Sequence, residues 1–155
     1  MECVFCESSV NELKFYESRL FIGVYSLKPL VPGHSLVIPK RHVTSLLDLD
    51  SQEKQEIINF MDRCVFIALK FAEANEFDII LQEGKNAGQS IRHLHFHIIP
   101  RRHDDKISKA KAEWLYEFNK REHEAKTLQK GEIKQIMERL SEIVDTYKLQ
   151  IDGIN

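Results

Sequence analysis

The first half of the chain alternates apolar and polar positions in the short runs that are typical of strands. Between Lys14 and Lys40 the sequence is rich in β-branched and aromatic residues, with turn signals at Lys28-Pro29 and Pro32-Gly33. This pattern predicts two or three antiparallel strands. The predicted strands cover 14–17, 20–26 and 34–39.

After these strands the spacing of the apolar residues changes from that of a strand to that of a helix. Asp50 lies three residues before Glu53 as a capping box, and apolar residues recur behind it at helical spacing, which predicts a helix over 51–75. Cys64 lies on its apolar face and is expected in the core. Two further strands are predicted to form a hairpin around a glycine-containing loop. The strands cover 77–82 and 92–101, and the loop covers 84–90.

Beyond about residue 105 the sequence becomes helical and charged. Trp114, Leu115 and Phe118 belong to one predicted segment, and Gly131 separates it from a second helix. The second helix carries an apolar stripe stepping by three and four residues, within 133–147. Such a stripe needs a partner surface, which is either the body of this subunit or a neighbouring one.

Length and charge restrict the class of protein. A chain of 155 residues is about the size of one domain. A formal net charge of −2 gives no electrostatic reason to expect nucleic-acid or anionic-membrane binding. Three cysteines cannot all pair within the chain, and the start lacks a basic region followed by an apolar run. We therefore expect a cytoplasmic location, and the apolar stretches are too short to span a bilayer.

The chemistry is concentrated in one predicted strand, which carries His93, His95 and His97. Side chains alternate faces along a strand, so histidines at i, i+2 and i+4 are predicted to share one face. Neutral imidazole, with a pKa near ~6.5, is both a nucleophile and a proton carrier. A catalytic zinc held by the three imidazoles is the alternative from another class.

The segment from Gln82 to Ser90 precedes this strand directly. It carries two glycines, polar side chains and backbone N–H groups that can meet phosphate oxygens. Most such loops only turn the chain, but its junction with the histidine strand favours an anion-binding loop.

The histidine pattern, followed by two apolar residues, resembles the signature of the histidine triad superfamily of nucleotide hydrolases and transferases. Lys28–Pro39 and the Gln82–Ser90 loop are similar, with matching spacing, to the fragile histidine triad branch that cleaves diadenosine polyphosphates. The resemblance covers about 14–104. It implies an α+β fold in which one long helix crosses a five-stranded antiparallel sheet. It also implies a nucleotide substrate and a homodimer, for which the 133–147 stripe is a candidate contact.

The resemblance also implies roles for individual residues. His95 would attack the α-phosphorus and form a nucleotidyl-histidine, and His93 would orient or buffer it. Gln82 would hydrogen-bond the phosphate or the bridging oxygen. The residues expected to line the phosphate site or close the loop around it are His97, His34, Gln89 and Ser90. Ser26 stands where the family usually has Asn or Asp for the ribose hydroxyls, and its hydroxyl is a weaker, shorter partner for a diol.

The amino terminus carries Cys3 and Cys6 in a Cys-x-x-Cys spacing, which lets two thiolates bind one zinc but leaves two ligands to be found. Some bacterial and archaeal histidine triad proteins resemble this chain here. That resemblance implies a structural zinc completed by His42 and His93.

We expect one domain, with a catalytic part at 1–105 and a helical extension of the same domain at 106–155. The expected reaction is hydrolysis of a dinucleoside polyphosphate, such as diadenosine tetraphosphate. A nucleoside phosphoramidate hydrolase, a phosphorylase that uses inorganic phosphate, and a non-catalytic nucleotide-binding module remain alternatives.

Overall fold

All five strands predicted from the sequence are present. The computed structural model describes residues 3–105, 118, 120, 121 and 124–154. Its strands form one five-stranded antiparallel sheet in the order β1-β2-β3-β5-β4. The strands are β1 (Lys14–Glu17), β2 (Phe21–Tyr25), β3 (Ser35–Pro39), β4 (Glu76–Leu81) and β5 (Phe96–Arg101). The expected α+β fold is therefore confirmed.

One long helix, α1 (Ser51–Ala72), packs across a face of the sheet. It begins at the predicted capping box. The Asp50 carboxylate accepts a hydrogen bond from the Glu53 amide, and the Glu53 carboxylate accepts one from the Asp50 amide. The helix ends earlier than the predicted residue 75. Glu73 adopts the left-handed conformation, with φ of 53°, which ends the regular helical hydrogen bonding.

The core lies between α1 and the sheet. Cys64 is fully buried there, as predicted. Leu94, Phe96 and Ile98 belong to the same cluster, so the apolar layer expected opposite the histidines is confirmed. Burial of these side chains fixes which face of β5 is turned away from the core.

The last strand is shorter than the predicted 92–101. It begins at Phe96, so His93 and His95 precede it and only His97 of the three lies within the strand. The reason is a backbone contact that periodicity does not encode. The Leu94 amide donates to the Val43 carbonyl at 2.7 Å, so the chain at this point bonds a loop instead of a neighbouring strand.

Within 124–154 the structure describes the helices α2 (Lys130–Thr146) and α3 (Lys148–Asp152). The apolar stripe of α2 packs inside this chain: Leu140 is fully buried in a cluster with Tyr25 and Phe71. The stripe thus has a partner surface within this chain, on α1 and the sheet, although most of its residues stay partly exposed. A dimer contact through the stripe stays a prediction. Trp114 and Leu115 of the preceding predicted segment lie outside the described residues. Among the residues described, no helix is long and apolar enough to cross a membrane.

Candidate active site and metal centre

Two of the three histidines line a cavity of about 490 Å³ beside β2 and β3. A volume of this size falls in the range that small-molecule ligands occupy. Predicted site residues that line the cavity are His95, His97, Ser26 and Ser90. Buried imidazoles at the wall of an otherwise largely apolar cavity are placed to act on a ligand held inside it.

His95 is buried, and one of its ring nitrogens is already engaged. Its Nδ1 lies 2.7 Å from the backbone carbonyl of His93, which can only accept, so Nδ1 carries the proton in the neutral ring. Burial lowers the pKa of His95 and favours that neutral form. The lone pair is then on Nε2, as a nucleophile requires. His93 thus orients His95 through its main chain.

His97 and His34 form a buried pair. The Leu30 amide donates to Nδ1 of His34 at 3.2 Å, so the proton of a neutral His34 sits on Nε2. That Nε2 lies 3.0 Å from Nδ1 of His97 and donates to it. Burial, reinforced by His95, lowers the pKa of His34 to about 3. Burial first, and then the two neighbouring histidines, hold the pKa of His97 well below its usual range. The proton of a neutral His97 is therefore on Nε2.

His93 faces away from this pair and toward the amino terminus. Its Nε2 donates to the Pro39 carbonyl at 2.9 Å, which leaves the Nδ1 lone pair available. That Nδ1 lies 3.4 Å from the Cys3 sulfur and 3.5 Å from the Cys6 sulfur. Nδ1 of His42 lies 3.3 Å from the Cys6 sulfur.

These four side chains fit a tetrahedral metal. Their donor atoms all lie within 4.8 Å of one another. Zinc with bonds of ~2.3 Å to sulfur and ~2.0 Å to nitrogen places such atoms about 3.5 Å apart. The ring orientation of His93, fixed by a carbonyl on its other nitrogen, is the usual arrangement of a metal-binding histidine. The structure therefore brings together the predicted set of Cys3, Cys6, His42 and His93.

The same geometry weighs against a catalytic zinc shared by the three histidines. Nδ1 of His93 faces the cysteines, whereas Nδ1 of His95 faces a carbonyl and Nδ1 of His97 faces His34. Because the three Nδ1 atoms have different partners, the imidazoles do not converge through these atoms on one ion.

The loop between β4 and β5 is built around two glycines with positive φ, Gly84 at 86° and Gly88 at 97°. The Gly84 amide donates to the side-chain oxygen of Gln89 at 2.8 Å, so Gln89 holds the loop together. Gln82 is buried directly after β4, and Ser90 reaches the cavity wall. The loop thus presents Ser90 to the ligand space and uses Gln89 to keep its shape.

Ser26 follows β2 and lines the cavity, where its hydroxyl accepts from the Lys28 amide at 3.3 Å. Several wall residues were missed by the sequence reasoning, among them Val4, Phe5 and Ile133. Phe5 packs edge-on against the rings of His93 and His95, with centroids 5.9 and 5.3 Å apart. Its position between Cys3 and Cys6 could have indicated this, because two cysteines that bind one metal beside His93 also place the residues between them near that histidine.

Comparison with known proteins places this geometry in a family. The family model described as HIT domain matches residues 7–104, and the chain belongs to that family. An uncharacterized HIT-like protein of Mycobacterium tuberculosis is 31% identical over 118 residues, covering 74% of this chain and 82% of that protein. The expected membership of the histidine triad superfamily is confirmed.

Some curated relatives carry enzymatic names. The bis(5'-adenosyl)-triphosphatase of Dictyostelium discoideum is 36% identical over 91 residues, which cover 59% of this chain and 61% of that enzyme. The asymmetrical bis(5'-nucleosyl)-tetraphosphatase of Schizosaccharomyces pombe is 37% identical over 101 residues, which cover 65% of this chain and 56% of that enzyme. Among solved structures, a Zn-bound histidine triad family protein from Mycobacterium smegmatis superposes with a TM-score of 0.72. It is 25% identical, and the match covers 97% of this chain and 98% of that one.

Proposed function

We propose that the chain hydrolyses dinucleoside polyphosphates at the α-phosphorus, with His95 as the nucleophile. As a HIT-family protein with hydrolase relatives, the chain is a nucleotide hydrolase or transferase. The observation that carries the finer proposal is the 2.7 Å bond from His95 Nδ1 to the His93 carbonyl, which leaves the Nε2 lone pair for attack. The relatives named as tetraphosphatase and triphosphatase favour a dinucleoside polyphosphate as substrate.

The reaction has two displacements. His95 Nε2 attacks the α-phosphorus, the bond to the bridging oxygen breaks, and the remaining nucleotide leaves with that oxygen as an ionised phosphate. Water then attacks the nucleotidyl-histidine and releases the nucleoside monophosphate. In this scheme His97 donates from Nε2 to a phosphate oxygen, and His34 holds the donating tautomer of His97 in place.

Gln82 and Ser90 are proposed to hydrogen-bond the phosphate oxygens. Loss of one donor of this kind costs about 10²–10³ in rate, so Gln82→Ala and Ser90→Ala are expected to slow turnover while the fold stays intact. Gln89→Ala acts through the shape of the loop, because its side chain bonds the Gly84 amide. Unchanged turnover in both the Gln82 and Ser90 variants would place the phosphate elsewhere.

The covalent intermediate provides the direct test. We expect His95→Ala to lose turnover yet still bind nucleotide, and rapid quenching of the native protein at high pH to trap an acid-labile adduct on His95. His103→Ala is the matched control, because His103 is exposed and lines a different depression. Two displacements give net retention at a chiral α-phosphorothioate. Inversion, or an adduct on another residue, would refute the assignment.

Two alternatives differ in substrate or acceptor. A phosphoramidate hydrolase would cleave a P–N bond with the same nucleophile, and a phosphorylase would use phosphate in place of water. Mass spectrometry of the products, with dinucleoside polyphosphates and phosphoramidates in the presence and absence of phosphate, separates them. Nucleotide binding without any turnover would favour the non-catalytic module.

The four-residue cluster is proposed to hold one structural zinc. The S–N distances of 3.3–3.5 Å support it, as does the Zn-bound relative. Bound zinc would fasten the amino terminus to the body of the protein. It would also fix His93, whose carbonyl orients His95. Thiolates of this kind persist in a reducing compartment, which is the basis for proposing a cytoplasmic location.

A homodimer is proposed through β4, which lies at the edge of the sheet. Its Phe77 and Ile79 are 44% and 43% exposed, although both are large and apolar. An exposed apolar edge strand is a template for pairing with a second copy. Light scattering of Ile79→Lys is expected to give a monomer where the native chain gives a dimer.

A further inference from the structure

The carboxyl-terminal helix α2 lies outside the 7–104 region that the family model matches, yet it contributes to the wall of the cavity through Ile133. We propose that α2 forms the base-recognising wall of the nucleotide site, with Ile133 and Glu12 as specificity-determining residues. This inference rests on the proposed function, and it assigns the extension a role in substrate choice.

The chain leading into α2 is fixed to the cavity by a backbone bond. The Leu128 amide donates to the Leu27 carbonyl at 2.9 Å, and Leu27 itself lines the cavity. The helix then starts at a capping box, in which the Glu132 carboxylate accepts from the Gln129 amide at 2.8 Å. Ile133 is the next residue, so its place at the wall is set by the start of the helix.

The body of α2 is held firmly against α1. Leu140 is fully buried, and the Arg139 guanidinium lies 4.6 Å from the ring centroid of Phe71 while it pairs with Glu73 at 3.0 Å. Because this helix is already packed in the free protein, ligand binding does not carry the cost of ordering this part of the wall. The position of Ile133 is therefore part of a preformed site.

The side of the cavity formed by α2 lies away from the histidines. Glu12 and Ile133 also line a neighbouring surface depression formed mainly by α2, and none of the histidines lines that depression. His95 and His97 mark the phosphate end of the cavity. A nucleotide with its α-phosphate at His95 would therefore extend its base toward Glu12 and Ile133.

The chemistry at this side favours one class of base. Val10, Leu13 and Ile133 give the cavity an apolar lining that suits the faces of a planar ring, and Glu7 and Glu12 line the same cavity. An ionised carboxylate accepts hydrogen bonds and cannot donate. It therefore suits the exocyclic amino group of adenine, guanine or cytosine and repels the carbonyl oxygens of uracil.

The test measures binding of AMP, CMP and UMP to the full chain by calorimetry, since these products cannot react further by hydrolysis. Ile133→Ala is expected to weaken AMP binding about tenfold. It should also raise KM for the dinucleoside polyphosphate substrate without changing kcat. Ile143→Ala is the matched control, because Ile143 packs into the α1 cluster. Glu12→Gln is expected to reduce the preference for AMP over UMP, with Glu138→Gln as its control.

Thermal unfolding of each variant checks that the chain is folded. If the native chain binds AMP and Ile133→Ala binds it equally, with KM unchanged, the inference is wrong and the proposed function stands. If the native chain prefers UMP, the role of Glu12 is wrong. If the native chain binds none of these nucleotides, the proposed function fails together with the inference.

Discussion

Substitution of Gly33 by alanine tests how the fold delivers His34 to the site. Gly33 ends the turn before β3 with φ of 84°, a conformation that side chains disfavour. A Cβ there would lie 2.8 Å from the Ala68 carbonyl oxygen and 2.9 Å from Cγ of Pro100. Both neighbours belong to the packed body of the protein, so the turn would have to move away from α1.

Gly33→Ala is expected to lower the free energy of unfolding for two reasons. The left-handed conformation costs an alanine about 1–2 kcal/mol, and forcing a methyl group into a packed region costs about 1–3 kcal/mol more. The expected loss for Gly33→Ala is therefore about 2–5 kcal/mol of unfolding free energy. Gly84→Ala is the control for backbone strain without a steric clash: its φ of 86° with ψ of 155° is a conformation that is nearly restricted to glycine, but no atom lies within 4 Å of the added Cβ. It should lose only the cost of this backbone conformation, about 1–3 kcal/mol.

Urea unfolding measures both variants, with the free energy extrapolated linearly to water. Because the next residue is His34, which bonds His97 at 3.0 Å, turnover of Gly33→Ala should also fall under conditions where the variant is folded. Equal losses of stability in the two variants would refute the steric argument. Full activity in a folded Gly33→Ala would refute the dependence of His97 on this turn.

Three further predictions concern stability and metal. Hydrogen bonds from Arg41 lower the pKa of Glu53. Ionised Glu53 therefore stabilises the folded chain at pH values above its unfolded pKa, and this stabilisation is lost as the pH falls through its folded pKa. Glu53→Gln should therefore lose about 1 kcal/mol near pH 7 and little at low pH, by urea unfolding. Gly131→Ala should raise stability by about 0.4–1 kcal/mol, because no atom lies within 4 Å of the new Cβ. Chelation of zinc should lower the melting temperature of the native chain, and a Cys3→Ser, Cys6→Ser variant should not respond; equal responses would refute the zinc assignment.

Local patterns in the sequence were sufficient to predict most of the secondary structure. The capping box at Asp50 and the helical period behind it predicted the start of α1, because both depend on residues within a few positions of one another. The apolar residues between the histidines predicted the buried face of β5 for the same reason. The three histidines themselves pointed to the chemistry.

Tertiary structure decided what each histidine contacts. His93 lies beside Cys3, 90 positions away, and His97 lies beside His34, 63 positions away. A period in one strand cannot encode such pairs, so in the sequence the division between a metal-facing ring and ligand-facing rings came only from the family resemblance. The start of β5 at Phe96 and the covering of the α2 stripe by α1 likewise depend on distant backbone and packing partners. Ile133 reaches the cavity on a helix that is held by packing on α1 and by the bond from the Leu128 amide to the Leu27 carbonyl, about a hundred residues earlier in the chain.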